Sequence, residues 1–196
     1  MALEYNPASQ EKALKAALRE RGYAVQDATF EEDYHEATDA WIGDERAQLH
    51  LIHKEFYDFT QITITTWKNQ GLRGEYAPMK HNNVKYLVFG RTLKGRLATV
   101  LVVNLRYAVR IYEQEYKAYK GDTSKFILWQ HYQNSNGHRF IGLSLADAAA
   151  DSRVDFSRLL IDKWSYGEGE HAAQLAALPR PDSTGLPVPA QDGARR

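Results

Sequence analysis

The spacing of hydrophobic and polar positions changes along the chain, and it predicts a helix, several strands, a second helix, further strands, a last amphipathic piece and a tail. The first segment, ASQEKALKAALRERG, follows an Asn-Pro pair that suits a helix start and ends at Gly22. Within it Glu11, Leu14 and Leu18 share one stripe because they are spaced i, i+3 and i+7. We therefore predict a first helix whose core-facing side carries the carboxylate of Glu11.

Three short runs rich in β-branched and aromatic residues follow this helix: ATDAWIG, AQLHLIHKEF and FTQITITTWK. Their composition, with the polar turn GDER between the first two, predicts an antiparallel meander. The next two runs, VKYLVFGRTL and ATVLVVNL, predict two more strands. The second of them is almost continuously apolar, so we expect it to be buried on both faces.

The second half of the chain predicts one more long helix and a hairpin. The helix is RYAVRIYEQEYKAYKG, and the hairpin forms around Asn136-Gly137, a dipeptide typical of tight turns. Ser144 then caps LADAAAD, and DFSRLLIDKWSY is the last amphipathic piece. We predict one α/β domain over residues 1–177, with a mixed central sheet flanked by helices. Residues 178–196 hold four of the six prolines and predict a flexible, disordered tail.

Composition limits where the protein can reside and which side chains could bind a metal. A hydrophobic content of 43% can build a core, whereas the start of the chain lacks a signal-peptide pattern and no apolar run is long enough to cross a bilayer. These features predict a cytoplasmic protein without a membrane partner. The chain has no cysteine, so a metal would be held by carboxylates, carbonyls, water or histidine.

The net charge of zero conceals an uneven distribution. Residues 1–60 carry 6 Lys and Arg against 13 Asp and Glu, whereas residues 61–125 carry 12 against 4. An acidic third followed by a basic third fits metal-binding carboxylates next to a phosphate-binding surface. Attraction between two oppositely charged faces of the fold explains the same distribution.

Three residues combine into a candidate catalytic group: Glu11 on the first helix, Asp39 at the start of the first meander strand, and Lys54 near the end of the next. Hydrolysis of a phosphodiester needs carboxylates that fix a hard cation such as Mg²⁺ or Mn²⁺, and a positive side chain that orients water or stabilises the developing charge. We expect one hairpin turn to bring Lys54 back beside Asp39.

In this order of residues and elements the chain resembles the PD-(D/E)XK nuclease superfamily, which has the restriction-endonuclease-like fold. The resemblance covers roughly residues 8 to 145. It implies a core of a helix, a three-stranded meander, a second helix and a further strand, with Glu11, Asp39 and Lys54 as catalytic residues and Mg²⁺ or Mn²⁺ as cofactor. The expected function is hydrolysis of phosphodiester bonds in DNA or RNA.

The third-strand motif of the family is degenerate here. Ile52 occupies the position two residues before Lys54 where the family has an acid or glutamine. Strand alternation puts Gln48, His50, Ile52 and Lys54 on one face, which makes His50 the nearest candidate metal ligand beside Asp39 and Glu11. An acid just before Asp39 could fill the same position; the candidates are Glu32, Asp33 and Glu36.

The basic middle segment predicts contacts to the nucleic-acid backbone. The candidate phosphate-binding residues are Lys68, Arg73, Lys80, Lys85, Arg91, Lys94 and Arg96. Interleaved glycines would allow a close backbone approach, and Trp67 and Tyr76 could stack on bases.

Alternatives of other classes stay open. A nuclease-like fold that binds nucleic acid or another macromolecule without cutting it fits the loss at Ile52, and a histidine-metal nuclease could use His131 and His138. Two cuts would need two sites, so a homodimer is a further expectation. The motifs of P-loop enzymes, dinucleotide-binding folds, zincins and α/β hydrolases are absent from the sequence.

Overall fold

The computed structural model describes residues 7–53, 60–67, 76–133 and 136–180. The helices are α1 Pro7–Glu20, α2 Phe30–Glu36, α3 Tyr76–His81, α4 Leu105–Ala118, α5 Leu145–Ala150, α6 Phe156–Leu159 and α7 Glu170–Ala177. The strands are β1 Val25–Asp27, β2 Ala40–Ile42, β3 Glu45–His53, β4 Gln61–Trp67, β5 Tyr86–Leu93, β6 Arg96–Asn104, β7 Trp129–Gln133, β8 Arg139–Ser144 and β9 Leu160–Ser165.

A mixed six-stranded sheet forms the centre of the molecule, in the order β1-β2-β3-β5-β6-β9. Neighbouring strands are antiparallel except β3 and β5, which run parallel. Parallel neighbours need a crossover connection, and β4 and α3 lie between β3 and β5 in the chain. A smaller antiparallel sheet has the order β4-β8-β7.

Two hydrophobic clusters cover the two faces of the large sheet. On one face α1 packs Leu14 and Leu18, both fully buried, against alternate residues of β3, β5 and β6. The other cluster joins the opposite face to the small sheet and to helices α4 to α7. Alternate residues of β6, Val100 to Val103, enter one cluster or the other, and all four are 0% exposed.

Much of the predicted architecture is confirmed: an α/β protein with a mixed central sheet, α1 and α4 packed against it, and β6 buried on both faces. Ser144 caps α5, accepting a hydrogen bond from the backbone of Asp147 at 3.2 Å. Strands β7 and β8 pair antiparallel around the predicted hairpin turn.

The predicted meander is wrong in its third strand. The antiparallel meander consists of β1, β2 and β3, whereas β4 pairs with β8 in the small sheet. Ile62 and Ile64 of β4 are fully buried in the cluster between the sheets. An apolar alternation fixes which face of a strand is buried, but it does not fix the neighbouring strand.

The C-terminal part of the described chain is anchored. Leu178, which the sequence assigned to the tail, is 4% exposed and belongs to the cluster between the sheets. The ammonium group of Lys163 on β9 donates hydrogen bonds to the carbonyl groups of Leu175 and Leu178. Residues 181–196, the rest of the predicted tail, lie outside the described residues. None of the described helices is long and apolar enough to cross a membrane.

Candidate functional site

Asp39 lies directly before β2, at a position fixed by the tight turn between β2 and β3. The turn residues are Gly43 and Asp44, and the positive φ of Gly43, 64°, favours glycine there. Ile42 pairs with Glu45 and Ala40 with Ala47. Continuing this register places Gln48 opposite Asp39, and the backbone amide of Asp39 donates to the carbonyl of Ala47 at 3.0 Å.

The carboxylate of Asp39 is held by neutral donors from β3. Its Oδ2 accepts hydrogen bonds from the side-chain amide of Gln48 at 2.7 Å and from the backbone amide of Leu49 at 2.6 Å. Oδ1 accepts no hydrogen bond from the described residues. The other end of the same amide, Gln48 Oε1, is buried and has no donor among them. Because a buried carbonyl oxygen without a donor is costly, Gln48 Oε1 is a candidate ligand atom at this site.

The electrostatic surroundings of Asp39 differ from those of a surface carboxylate. Burial raises the pKa of Asp39 to about 7, against the hydrogen bond from Leu49 and the nearby charge of His50, which lower it. The charges of Asp33 and Glu11 raise this pKa further. Asp39 therefore sits within electrostatic reach of two other carboxylates and one histidine.

Glu11 approaches the site from α1 but is already engaged. Its carboxylate forms an ion pair with Lys15 one turn along the helix, and Lys15 also contacts Asp27 of β1 at 2.8 Å. Lys15 is 7% exposed, so this network ties α1 to the edge of the sheet. The side chain of Glu11 remains 36% exposed and can still exchange its partner.

The three acids before Asp39 have different roles. Glu32 completes a capping box with Thr29 at the start of α2 and accepts a hydrogen bond from the indole of Trp41 at 3.3 Å. Glu36 forms an ion pair with Arg46. Asp33 is the one whose charge acts on Asp39. Of the three, Asp33 is thus the best candidate for a further carboxylate at this site.

The alternation predicted for β3 holds. Ala47, Leu49 and Leu51 pack on the α1 side, whereas Ile52 packs against the opposite cluster and the ring of His50 lies 6.1 Å from that of Phe89. Gln48 and His50 are therefore on one face, two residues apart. Lys54 lies outside the described residues.

The register of β2 and β3 decides which residue of β3 lies beside Asp39. The prediction placed Lys54 there, and Lys54 lies outside the described residues; the two-residue turn at Gly43 and Asp44 places Gln48 opposite Asp39. Gln48-Leu49-His50 is therefore the described stretch of β3 nearest Asp39, and Ile52 packs against the cluster between the sheets. Sequence reasoning missed Gln48, although the Gly-Asp turn in GDER was the signal that could have found it.

Within the described residues, no group of three His, Cys, Asp or Glu side chains is close enough to hold a metal ion. A cation at Asp39 would therefore need the carbonyl oxygen of Gln48, a ligand type that Mg²⁺ and Ca²⁺ accept.

The two histidines of the alternative histidine-metal site contact aromatic side chains. His131 lies 3.4 Å from the hydroxyl of Tyr112, and the ring of His138 lies 6.4 Å from that of Phe140.

Six of the seven predicted phosphate-binding cations fall into three groups. Lys68 and Arg73 lie outside the described residues. Lys80 and Lys85 form ion pairs with Glu113 and Glu45. Lys94 and Arg96 are exposed at the turn between β5 and β6 and form no ion pair with a described residue.

Arg91 needs correction as a surface contact. It is 2% exposed, donates a hydrogen bond to the carbonyl of Gln61 and lies 5.2 Å above the ring of Phe89. Arg91 therefore links the two sheets from the face of β5 that carries Phe89, and it is too buried to bind a phosphate at the surface. Tyr76 is partly buried, packs 5.8 Å from the ring of Tyr112 and has a pKa that burial raises to about 12, so its stacking on a base stays a prediction.

Comparison with known proteins gives no family assignment, since no protein-family model and no curated protein matches the chain.

Proposed function

We propose that the protein is a divalent-metal-dependent nuclease with a restriction-endonuclease-like core, which hydrolyses phosphodiester bonds of DNA or RNA. Support comes from the order α1, the meander β1-β2-β3, α3 and then β5 parallel to β3. This is the order that the sequence resemblance implies. Asp39 stands before the second strand of this meander and Gln48 on the third, as in the implied motif.

The observation that carries the proposal is the pair formed by Asp39 and Gln48. Gln48 is 8% exposed, donates to Oδ2 of Asp39 and leaves its own Oε1 buried without a donor among the described residues. A cation bound to Asp39 Oδ1 and Gln48 Oε1 would satisfy both oxygens with the ligand atoms that Mg²⁺ or Mn²⁺ prefers. Glu11 and Asp33 would add negative charge, directly or through water, since Mg²⁺ keeps several waters.

Such a cation would polarise the phosphoryl group and lower the pKa of a bound water. The residues of this chain would then have separate roles. Asp39 and Gln48 would hold the cation that binds the reacting phosphate, and the backbone amide of Leu49 keeps the Asp39 carboxylate in one orientation. His50, on the same face as Gln48, would take the place of the family lysine and orient the attacking water by a hydrogen bond.

The alternative of binding without hydrolysis has its own observation. The two hydrogen bonds to Asp39 come from neutral amides of Gln48 and Leu49. A pKa of about 7 leaves much of the Asp39 carboxyl group protonated near neutral pH. If no cation displaces the proton, the site would recognise a phosphate group without cutting the chain. The same fold would then serve recognition alone.

A cleavage assay distinguishes the two functions. The purified protein is incubated with labelled single-stranded and duplex DNA and RNA in Mg²⁺, Mn²⁺ or EDTA, beside Asp39→Asn and the matched control Asp44→Asn. Asp44 is exposed in the adjacent turn, so its substitution tests the loss of one acid outside the site. We expect cleavage that requires the metal, is lowered at least about a thousandfold by Asp39→Asn, and is unchanged by Asp44→Asn.

Equal cleavage by the protein and Asp39→Asn would reject Asp39 as the catalytic residue. The absence of cleavage with every metal, while nucleic acid still binds, would reject the nuclease and favour the recognition function.

A further inference from the structure

An open cavity of about 630 Å³ lies at the end of the large sheet. One wall is the turn between β5 and β6, with Lys94 and Arg96, and the other is the loop Tyr166 to Gly169 at the start of α7. The first wall is a tight turn, in which Lys94 has φ 52° and Gly95 has φ 75°. The second wall is tethered by the side chain of His171, which lies 3.2 Å from the carbonyl of Tyr166. The cavity is therefore bounded by a tight turn and a tethered loop.

The cavity contains cations that have no ionic partner within the described residues. Lys94 and Arg96 are both exposed there, whereas Lys80 and Lys85 are neutralised by acids of their own. The acid in the lining, Glu168, opposes one of these charges. The lining thus keeps an excess of positive charge, which favours an anion.

The cavity lies at the end of the large sheet, and its lining includes residues from both sides of the sheet. Leu97 packs against the α1-side cluster, whereas His171 belongs to α7, whose Leu175 lies in the opposite cluster, against which Ile52 packs. Leu49 pairs with Val88 in β5, five residues before Leu93 at the cavity. With a rise of about 3.3 Å per residue and about 4.8 Å between strands, the two sites are about 20 Å apart.

We propose that this cavity binds a backbone phosphate of the nucleic-acid strand whose scissile phosphate lies at Asp39. The proposal rests on the nuclease function and names a second contact for the same substrate. Lys94 and Arg96 hold the phosphate, and Tyr166, 39% exposed in the lining, packs against the adjoining sugar or base. A separation of about 20 Å corresponds to about six base pairs of B-form duplex. The substrate must therefore extend about that far to one side of the cut.

The test is fluorescence anisotropy with labelled DNA duplexes of 6 and 20 base pairs over a range of salt concentrations, in Ca²⁺ to slow cleavage. The double variant Lys94→Gln/Arg96→Gln removes the two cations. The matched control Arg110→Gln/Lys120→Gln removes two exposed cations outside the cavity lining. We expect the cavity variant to weaken binding of the longer duplex about tenfold and to flatten its salt dependence by about two units of slope. The control should change the slope less, and the short duplex should respond little to either variant.

Glu168→Gln gives a test of opposite sign. Removing the acid from the cavity should tighten binding of the longer duplex a few-fold, a result that damage to the fold cannot imitate. Inorganic phosphate at millimolar concentration is the second probe. If it competes at the cavity as strongly as the duplex, the site is one for free phosphate and the nucleic-acid proposal is overturned.

The outcomes separate this inference from the nuclease function. Metal-dependent cleavage with an unchanged salt dependence in the cavity variant would overturn the phosphate subsite and leave the nuclease intact. No cleavage by the protein, together with the expected loss of slope, would reject the nuclease and retain the cavity as a backbone-binding site.

Discussion

Two aspartates at the large sheet, the partly buried Asp39 and the buried Asp162, have carboxylates in different surroundings. Asp162 on β9 is 5% exposed and accepts two hydrogen bonds from the guanidinium of Arg21, at 3.0 and 3.2 Å. It also accepts from the hydroxyl of Tyr23 and the backbone amide of Lys163. Asp39 accepts two hydrogen bonds, both from neutral amides.

The difference lies in where the counter-charge comes from. Asp162 finds its counter-charge in the fold, so it joins the end of α1 to the edge of the sheet. Asp39 has like charges nearby in Asp33 and Glu11, and its pKa is raised to about 7. Among the described residues Asp39 has no ion pair, and the carbonyl oxygen of Gln48 beside it has no donor, which is why we propose a cation from solution as their partner.

The largest effect on stability is expected from Asp162→Ala. The substitution leaves the hydroxyl of Tyr23 and one face of Arg21 without their acceptor, and should cost about 3 kcal/mol. Half of the Arg21 side chain is exposed and can regain water, which keeps the cost below that of a fully buried pair. Urea unfolding measures the change, with Asp44→Ala as the surface control expected within about 0.5 kcal/mol. A loss of stability below about 1 kcal/mol would show that Asp162 does not contribute to the fold as its hydrogen bonds suggest.

Asp39→Asn should stabilise the protein in the absence of divalent cations. The folded protein keeps a proton on Asp39 between about pH 4 and 7 that the unfolded chain releases, so its stability falls as the pH rises through this range. The Asn variant lacks this dependence. We expect no difference near pH 4 and a gain of about 1 to 2 kcal/mol at pH 8, below the full shift because water can reach an ionised carboxylate.

Thermal unfolding in EDTA from pH 4 to 8 follows this difference. A variant less stable than the parent at pH 8 would mean that the fold already stabilises the Asp39 carboxylate.

Gln48→Glu should place a second carboxylate beside Asp39. A second carboxylate beside Asp39 raises the affinity for Mn²⁺ about tenfold, because charge count controls the affinity of such sites. It also lowers stability at pH 8 without the metal, because two like charges then share one site. Gln114→Glu on α4 is the exposed control. An unchanged Mn²⁺ affinity would show that Gln48 does not face the cation.

Tyr23→Phe should have the smallest effect. It removes one of the donors to Asp162 and leaves those from Arg21 and Lys163, so we expect a loss of about 0.5 to 1 kcal/mol. Cation binding should stay the same. A changed Mn²⁺ affinity in this variant would show that the surroundings of Asp162 influence cation binding at Asp39.

The sequence predicted the elements better than their partners. The stripe of α1, the buried run of β6 and the cap of α5 follow from local spacing and capping chemistry. The seven-residue helix α2 was missed, although Thr29 and Glu32 have the spacing of the capping box that starts it. The partner of β4 depends on contacts between distant segments, which a local pattern does not contain.

The candidate site shows the same limit. Asp39, Glu11 and His50 were predicted from residue type and face, and the charges of Glu11 and His50 do act on Asp39. Gln48 was missed because Lys54 fitted the motif by type. Only the register set by Gly43 and Asp44 shows which residue of β3 lies opposite Asp39. Burial of Arg91 also depends on the small sheet, through its bond to Gln61.

The central claim is that Asp39 and Gln48 bind a divalent cation, and a calorimetric titration with Mn²⁺ at pH 8 tests it most directly. The account predicts one Mn²⁺ bound per chain, with affinity at least about tenfold weaker in Asp39→Asn and unchanged in Asp44→Asn. Equal binding by the protein and Asp39→Asn, or no binding to the protein at millimolar Mn²⁺, would contradict it.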